Sequence, residues 1–110
     1  MVISTGTPRV QIVHIIGKEV IFLDGEELSI DLSGLYRFLR CVYDGKNDIS
    51  SIVKHGGFSR TTVTKYISIC EALRMIKVKK HGKKKVIELT EKAMHYLILY
   101  ERLLSLLKTS

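Results

Sequence analysis

Several features that mark particular classes of protein are scarce in this sequence. There is one proline in 110 residues and there are eight glycines, which excludes a collagen-like or low-complexity chain. The apolar runs are only a few residues long, too short for a transmembrane helix, and the N-terminus lacks the basic and apolar segments of a signal peptide. We therefore expect a small folded domain that does not cross or bind a membrane.

Sites for metal ions, disulfides or catalysis are also missing. Cys41 and Cys70 are isolated among apolar residues at helical spacing, which predicts buried free thiols rather than a disulfide or a zinc site. The four histidines fall in different predicted elements, and none lies at ligand or triad spacing from a carboxylate or a cysteine. The sequence thus predicts a protein that is not an enzyme and that has no metal, no cofactor and no small-molecule ligand.

The charge of the chain is basic and unevenly placed. Lysine and arginine number 18 against 11 aspartates and glutamates, a net charge of +7. Residues 1–58 have six basic and seven acidic side chains, whereas residues 59–110 have twelve and four. A one-sided basic surface indicates a polyanionic partner. The alternative is that the surplus only maintains solubility, but an even distribution would serve solubility equally well.

The first part of the chain, residues 1–30, has the pattern of a small β-structure. A polar start is followed by short β-branched runs between Val10 and Ile30, separated by turn signals at Gly17-Lys18 and Asp24-Gly25. This predicts an N-terminal β-hairpin or meander. Because two or three strands are only marginally stable alone, we expect it to pack on the same domain.

From Leu32 the apolar residues recur at helical spacing. They predict a helix from Leu32 to about Val42, a short helix capped by Asp48, and a helix capped by Ser59 that runs to about Arg74. The inward stripe of the first helix is Leu32, Leu35, Tyr36, Leu39 and Val42. Alternating apolar and basic residues over 76–80 and 85–89, around a turn at 81–83, then predict a hairpin that we call the basic hairpin.

The predicted elements follow the order helix, turn, short helix, tight turn, helix and hairpin. Several sequence motifs accompany this order. They are Ile49-Ser50-Ser51-Ile52-Val53, Gly56-Gly57-Phe58, Ser59-Arg60-Thr61-Thr62-Val63-Thr64-Lys65-Tyr66-Ile67, Leu73-Arg74-Met75-Ile76 and Leu89-Thr90-Glu91-Lys92-Ala93. On these motifs the chain resembles the winged helix-turn-helix family, in particular small archaeal winged-helix regulators and chromatin proteins. The resemblance implies an α+β fold: a winged helix-turn-helix over residues 31–90, with an N-terminal β-hairpin or meander and a long C-terminal helix.

The helix after Ser59 has one apolar and one polar face, the division that a recognition helix in the major groove requires. Arg60 can bind guanine through two hydrogen bonds, and threonines can contact a thymine methyl group. A solvated helix face without a partner is the alternative interpretation. The DNA-binding residues predicted on this helix are Ser59, Arg60, Thr61, Thr62, Thr64, Lys65 and Ser68.

The basic hairpin indicates DNA binding more specifically than this helix does, because it has six lysines and no acidic residue between Ile76 and Val86. Like charges at this density are destabilising unless a counter-charge arrives, and DNA phosphates would supply one. Protection of an exposed strand edge is the alternative, but it needs fewer lysines. The predicted phosphate-contacting residues are Lys77, Lys79, Lys80, His81, Lys83, Lys84 and Lys85.

The last predicted helix, within residues 91–110, is apolar on two faces and has to be covered on two sides. One face can cover its own domain, and a second copy of the chain is the simplest cover for the other. We therefore expect a dimerisation helix. Its predicted interface residues are Ala93, Tyr96, Leu97, Tyr100, Leu103, Leu104 and Leu107.

Together these patterns predict a sequence-specific transcriptional regulator that binds double-stranded DNA as a homodimer. Its expected location is the cytoplasm, in association with the nucleoid. Two alternatives stay open at this point: a chromatin-type protein that binds DNA without sequence preference, and a winged-helix adaptor that binds other proteins.

Overall fold

The computed structural model describes residues 10–15, 18–23, 26–29 and 32–108. Its elements are strands β1 (Val10–Ile15), β2 (Lys18–Leu23) and β3 (Glu26–Ser29), helices α1 (Leu32–Tyr43), α2 (Ile49–Gly56) and α3 (Arg60–Ala72), strands β4 (Ile76–His81) and β5 (Lys84–Leu89), and helix α4 (Glu91–Lys108). The glycine of each expected N-terminal turn, Gly17 and Gly25, lies outside the described residues.

The strands form two separate antiparallel sheets. β1, β2 and β3 pair in sequence order, whereas β4 pairs with β5 and makes the basic hairpin. In the basic hairpin the register runs from Ile76 opposite Leu89 to His81 opposite Lys84. In each sheet, strands that follow one another in the sequence are joined by short connections, and their backbone N–H and C=O groups bond to each other. Neither sheet therefore needs a strand from the other.

The expected fold class is wrong as stated. It was a winged helix-turn-helix with an N-terminal β-hairpin or meander and a long C-terminal helix. The structure instead supports a mixed α+β unit of order α-α-α-β-β-α, made by α1, α2, α3, β4, β5 and α4. The core residues that the structure describes run from Leu35 to Leu97, and β1, β2 and β3 pair in a sheet of their own. The prediction that residues 1–30 pack on the same domain stays a prediction.

The core of this unit lies between the four helices and the basic hairpin. Phe38 of α1 stacks on Tyr66 of α3 with ring centroids 5.5 Å apart, and Phe58 meets Tyr66 edge-on at the same distance. This aromatic cluster joins α1, α3 and the turn after α2. The buried apolar residues are Leu35, Phe38, Leu39, Val42, Ile52, Phe58, Val63, Tyr66, Ile69, Cys70, Met75, Ile76, Ile87, Ala93 and Leu97.

Two residues depart from the predicted inward faces. Leu32 is 45% exposed, because it is the first residue of α1 and the core begins one turn later, at Leu35. Ile69 of α3 is fully buried, although the spacing of apolar residues predicts an inward stripe of Val63, Tyr66, Ile67, Cys70 and Leu73 for that helix. That helix also ends before the expected Arg74, which has a φ of 61° in the left-handed region and so cannot continue the helix.

The turn between α2 and α3 explains why two glycines stand there. Gly57 caps α2 with a φ of 71°, a conformation that favours glycine. At Gly56 a Cβ atom would lie 2.7 Å from two ring carbons of Phe58 and 3.1 Å from the Cys41 sulfur atom. Because Phe58 is buried against Tyr66, its ring has little room to move, and this close approach sets α3 at a fixed position relative to α2.

Candidate nucleic-acid interface

α3 begins at an N-terminus whose hydroxyl groups bond to the helix itself. The Ser59 oxygen accepts a hydrogen bond from the Thr62 N–H at 3.1 Å, and the Ser59 hydroxyl donates to the Thr62 oxygen at 2.8 Å. The Thr64 hydroxyl donates to the Arg60 carbonyl oxygen at 2.9 Å. Three of the predicted DNA-binding residues therefore also cap or brace the helix. The exposed side chains among the predicted set are Ser59, Arg60, Thr61, Thr64, Lys65 and Ser68.

Arg60 lies beside the N-terminus of α2. Its Nη2 atom donates a hydrogen bond to the Ser50 hydroxyl oxygen at 3.3 Å. The cap of α2 is Asp48, whose Oδ1 atom accepts a hydrogen bond from the Ser51 N–H at 2.8 Å. This bond, with a further contribution from Lys84, lowers the pKa of Asp48 below its ordinary value, so its carboxylate stays ionised to a more acidic pH than usual.

The basic hairpin has one face turned to the core and one turned away. Ile76 and Ile87 are buried on the inner face, and the cross-strand pair Lys80 and Lys85 continues that face toward the tip. All seven predicted phosphate-contacting residues are exposed: Lys77, Lys79, Lys80, His81, Lys83, Lys84 and Lys85.

Backbone hydrogen bonds hold the basic hairpin beside the helices. The Ile87 N–H donates to the Asn47 carbonyl oxygen at 2.8 Å, which ties β5 to the loop before α2. At the base of the hairpin, the Thr90 N–H donates to the Met75 carbonyl oxygen at 3.0 Å. The first bond connects residues far apart in the sequence and brings the hairpin close to Asp48, whereas the second closes the base of the hairpin.

Two adjacent clefts lie between the helices and the basic hairpin. The first, of about 280 Å³, is lined by Asp48, Ile49, Ser50, Arg60, Lys83, Lys84 and Lys85, and we call it the cationic cleft. The second, of about 400 Å³, lies between Thr64 and Ser68 of α3 and Lys80 and Lys85 of the hairpin, and Glu71 also lines it. Ile49 and Lys85 line both clefts, so the two form one continuous surface.

The structure thus brings together part of each predicted set. Arg60 shares the cationic cleft with three hairpin lysines, and Thr64 and Ser68 share the second cleft with two. The predicted residues that line neither cleft are Ser59, Thr61, Thr62, Lys65, Lys77, Lys79 and His81.

Sequence reasoning missed two carboxylates that pair with hairpin lysines. Glu88 Oε1 lies 3.2 Å from Lys79 Nζ, and Asp48 Oδ2 lies 3.8 Å from Lys84 Nζ. Two of the six lysines therefore have a counter-charge within the protein, which the absence of acidic residues between Ile76 and Val86 did not indicate. The strand register could have indicated Glu88, because it stands opposite Lys77 and diagonal to Lys79. No local signal could have indicated Asp48.

The predicted dimer interface is corrected at Ala93 and Leu97. Their exposed fractions are 0% and 4%, because the first turns of α4 cover α1 and β5 of the same chain. Tyr96 and Tyr100 are half-buried: the Tyr96 hydroxyl donates to the Leu32 carbonyl oxygen at 2.7 Å, and the Tyr100 ring stacks on Tyr36. These four side chains mainly attach α4 to its own domain.

The later turns of α4 carry exposed apolar side chains. Leu103 and Leu107, both predicted interface residues, are 49% and 73% exposed, and Leu104 is half-buried. Leu99 and Leu106 are 63% and 69% exposed and were not among the predicted interface residues. The exposed apolar surface of α4 therefore differs from the predicted one, and it also includes Ile98, which is 48% exposed.

Both cysteines are free thiols with a raised pKa. Burial raises the pKa of Cys41, and it raises that of Cys70 to about 12. The reactive thiolate form is therefore disfavoured. Within residues 32–108 and the described strands, no group of three metal-binding side chains could hold an ion. No helix in the same part of the chain is sufficiently long and apolar for a membrane crossing.

Comparison with known proteins shows a likeness in fold. No protein-family model and no curated protein matches the chain. A crystal structure of AF1382 from Archaeoglobus fulgidus is similar, with a TM-score of 0.60 and 21% sequence identity over 70% of this chain and 89% of that chain. At this identity the likeness shows the fold alone. It does not extend over the whole chain, which counts against the expected fold class with its N-terminal hairpin.

Proposed function

We propose that the protein binds double-stranded DNA as a homodimer and regulates transcription in this way. The observation that carries the proposal is the convergence of Arg60, Lys83, Lys84 and Lys85 on one cleft beside the start of α3. Duplex DNA carries one negative charge per about 1.7 Å of its axis, so clustered cations can neutralise several phosphates and release the condensed counterions.

The two elements that meet at this surface suit different parts of DNA. α3 exposes Arg60, Thr61 and Lys65, while its other face is buried in the core. A helix fits the major groove, where an arginine guanidinium can form two hydrogen bonds to guanine. Lysine is a strongly hydrated point charge that suits phosphates better than base edges. We therefore assign base preference to α3 and most of the affinity to the basic hairpin.

Replacement of Arg60 by alanine is expected to relax base preference and to weaken binding of the preferred duplex by about 5- to 150-fold, the value of one bidentate base contact. Selection from random duplexes supplies the preferred site, and fluorescence anisotropy compares that site with a scrambled one. Arg102→Ala, which removes an exposed arginine of α4, is the matched control and should leave both affinities unchanged.

The result for wild-type protein separates the proposal from its alternatives. A preference below about tenfold over random DNA favours chromatin-type coating, since specific binding exceeds non-specific binding by about a thousandfold or more. Electrostatic contacts are strong at about 50 mM salt. If the protein binds no duplex at that salt concentration, the proposal of DNA binding is contradicted.

The homodimer rests on the exposed leucines of α4. Leu99, Leu103, Leu106 and Leu107 are 49% to 73% exposed, and a second copy of the helix would cover them. We expect a dimer in sedimentation at tens of micromolar, and a shift toward monomer when Leu103 and Leu107 are both replaced by glutamate. A wild-type monomer at that concentration contradicts the dimer without affecting the DNA surface.

A further inference from the structure

One carboxylate lies in the cationic cleft beside its four basic side chains. Asp48 shares the cationic cleft with Arg60, Lys83, Lys84 and Lys85, and its Oδ2 atom is 3.8 Å from Lys84 Nζ. We propose that Asp48 is an internal counter-anion of Lys84 that lowers DNA affinity, because a backbone phosphate has to replace it at the Lys84 ammonium group. This inference rests on the proposed function, and it identifies Asp48 as the residue that limits the affinity of the protein for DNA.

The position of the Asp48 carboxylate is fixed by the fold. Its other oxygen, Oδ1, accepts the hydrogen bond from the Ser51 N–H that caps α2, and the side chain is only 21% exposed. The neighbouring Asn47 carbonyl oxygen accepts the bond from Ile87 that ties β5 to this loop. The carboxylate and the hairpin are therefore held at fixed positions relative to each other. The carboxylate cannot turn away without loss of the helix cap.

Lys84 is the member of the pair that can change partner. Its side chain is 76% exposed, and it stands at the start of β5, next to the turn of the hairpin. A long exposed lysine can turn from one anion to another at little cost in packing. In free protein it pairs with Asp48, and in the complex a phosphate would take that place. The carboxylate then faces the phosphate and repels it.

Asp48 opposes DNA binding in two ways. The free protein is stabilised by the ion pair, which binding has to break, and the bound phosphate is destabilised by a fixed negative charge nearby. Both effects require an ionised Asp48, which an aspartate is at neutral pH, and the Ser51 hydrogen bond lowers its pKa further. The first effect acts only through Lys84, and this dependence distinguishes an internal counter-anion from a carboxylate that merely reduces the net charge.

The experiment is a double-mutant cycle on duplex affinity with the full chain. Asp48→Asn removes the charge but keeps an oxygen that accepts from the Ser51 N–H, and asparagine caps helices about as well as aspartate. We expect Asp48→Asn to tighten binding of a random-sequence duplex by about three- to tenfold at low salt, as for a partly exposed charge at an interface. In a Lys84→Gln background the same change should give about twofold or less, because only direct repulsion is then relieved.

The control is Glu91→Gln, which changes the net charge equally at an exposed position in the first turn of α4. Its affinity should stay within about twofold of wild type. Circular dichroism shows whether each variant folds, and Asp48→Ser, which keeps a capping oxygen, replaces Asp48→Asn if the latter does not.

The outcomes separate the inference from the proposed function. An equal gain in both Lys84 backgrounds, or the same gain from Glu91→Gln, overturns the inference and leaves DNA binding intact. No gain from Asp48→Asn also overturns it. If neither wild-type protein nor any folded variant binds the duplex, the proposed function fails as well.

Discussion

Replacement of Lys83, Lys84 and Lys85 together by alanine is expected to weaken duplex binding by about a hundredfold near physiological salt. Each phosphate contact releases about 0.9 of a condensed counterion, so three lost contacts correspond to about two orders of magnitude at this salt concentration. Because the contacts proposed for the three lysines are to phosphates rather than to bases, binding of specific and random duplexes should weaken alike.

Salt dependence is the decisive measurement for this triple variant. The slope of log affinity against log salt should become shallower by about 2.7 per subunit, or 0.9 for each of three contacts. The three side chains are exposed, so the fold should be unchanged.

A control triple separates local contact from net charge. Lys54, Arg102 and Lys108 are also exposed, line neither cleft, and remove the same charge when replaced by alanine. If the control triple weakens binding and flattens the slope as much as the hairpin triple, the assignment of affinity to the basic hairpin is wrong.

Phe38→Ala is expected to destabilise the protein by about 3–5 kcal/mol, the usual range for truncation of a buried phenylalanine. Phe38 is fully buried and stacks on Tyr66, which in turn meets Phe58. The cavity would open where α1, α3 and the turn after α2 meet, so all three would lose contacts. Since small domains have about 5–15 kcal/mol of stability, this loss would be a large share of the total.

Urea unfolding followed by circular dichroism measures this loss. Leu32→Ala is the control, because Leu32 belongs to the same helix and is 45% exposed. It should change the free energy of unfolding by less than about 1 kcal/mol. A loss for Phe38→Ala no larger than that of the control would show that the core is not centred on the aromatic cluster.

Local signals in the sequence were sufficient for the elements from α2 onward. The caps of α2 and α3, Asp48 and Ser59, lie where predicted, because a side chain that bonds to a nearby N–H depends only on adjacent residues. The two strands of the basic hairpin likewise follow from alternation around Gly82, which has a φ of 63°. The exposure of Lys77 and Lys79 follows from the same alternation, because they lie on the face opposite Ile76.

What covers an apolar face could not be derived from periodicity. The pattern of α4 indicated two apolar faces, but not that Ala93 and Leu97 would lie in the core of their own chain while Leu106 stays exposed. For the same reason the pattern placed Leu32 inward. Periodicity reports the direction of a side chain around its helix, whereas burial depends on which neighbour lies opposite and how far it extends.

The sequence by itself determined the basic character of the second half, the order of its elements and the two polar surfaces of α3 and the hairpin. Only the tertiary structure decided that Arg60 and Lys84 share a cleft and that Asp48 lies in it. The physical reason is that charges interact through space. Residues 48, 60 and 84 meet because a hydrogen bond between Ile87 and Asn47 and a buried core bring three segments together.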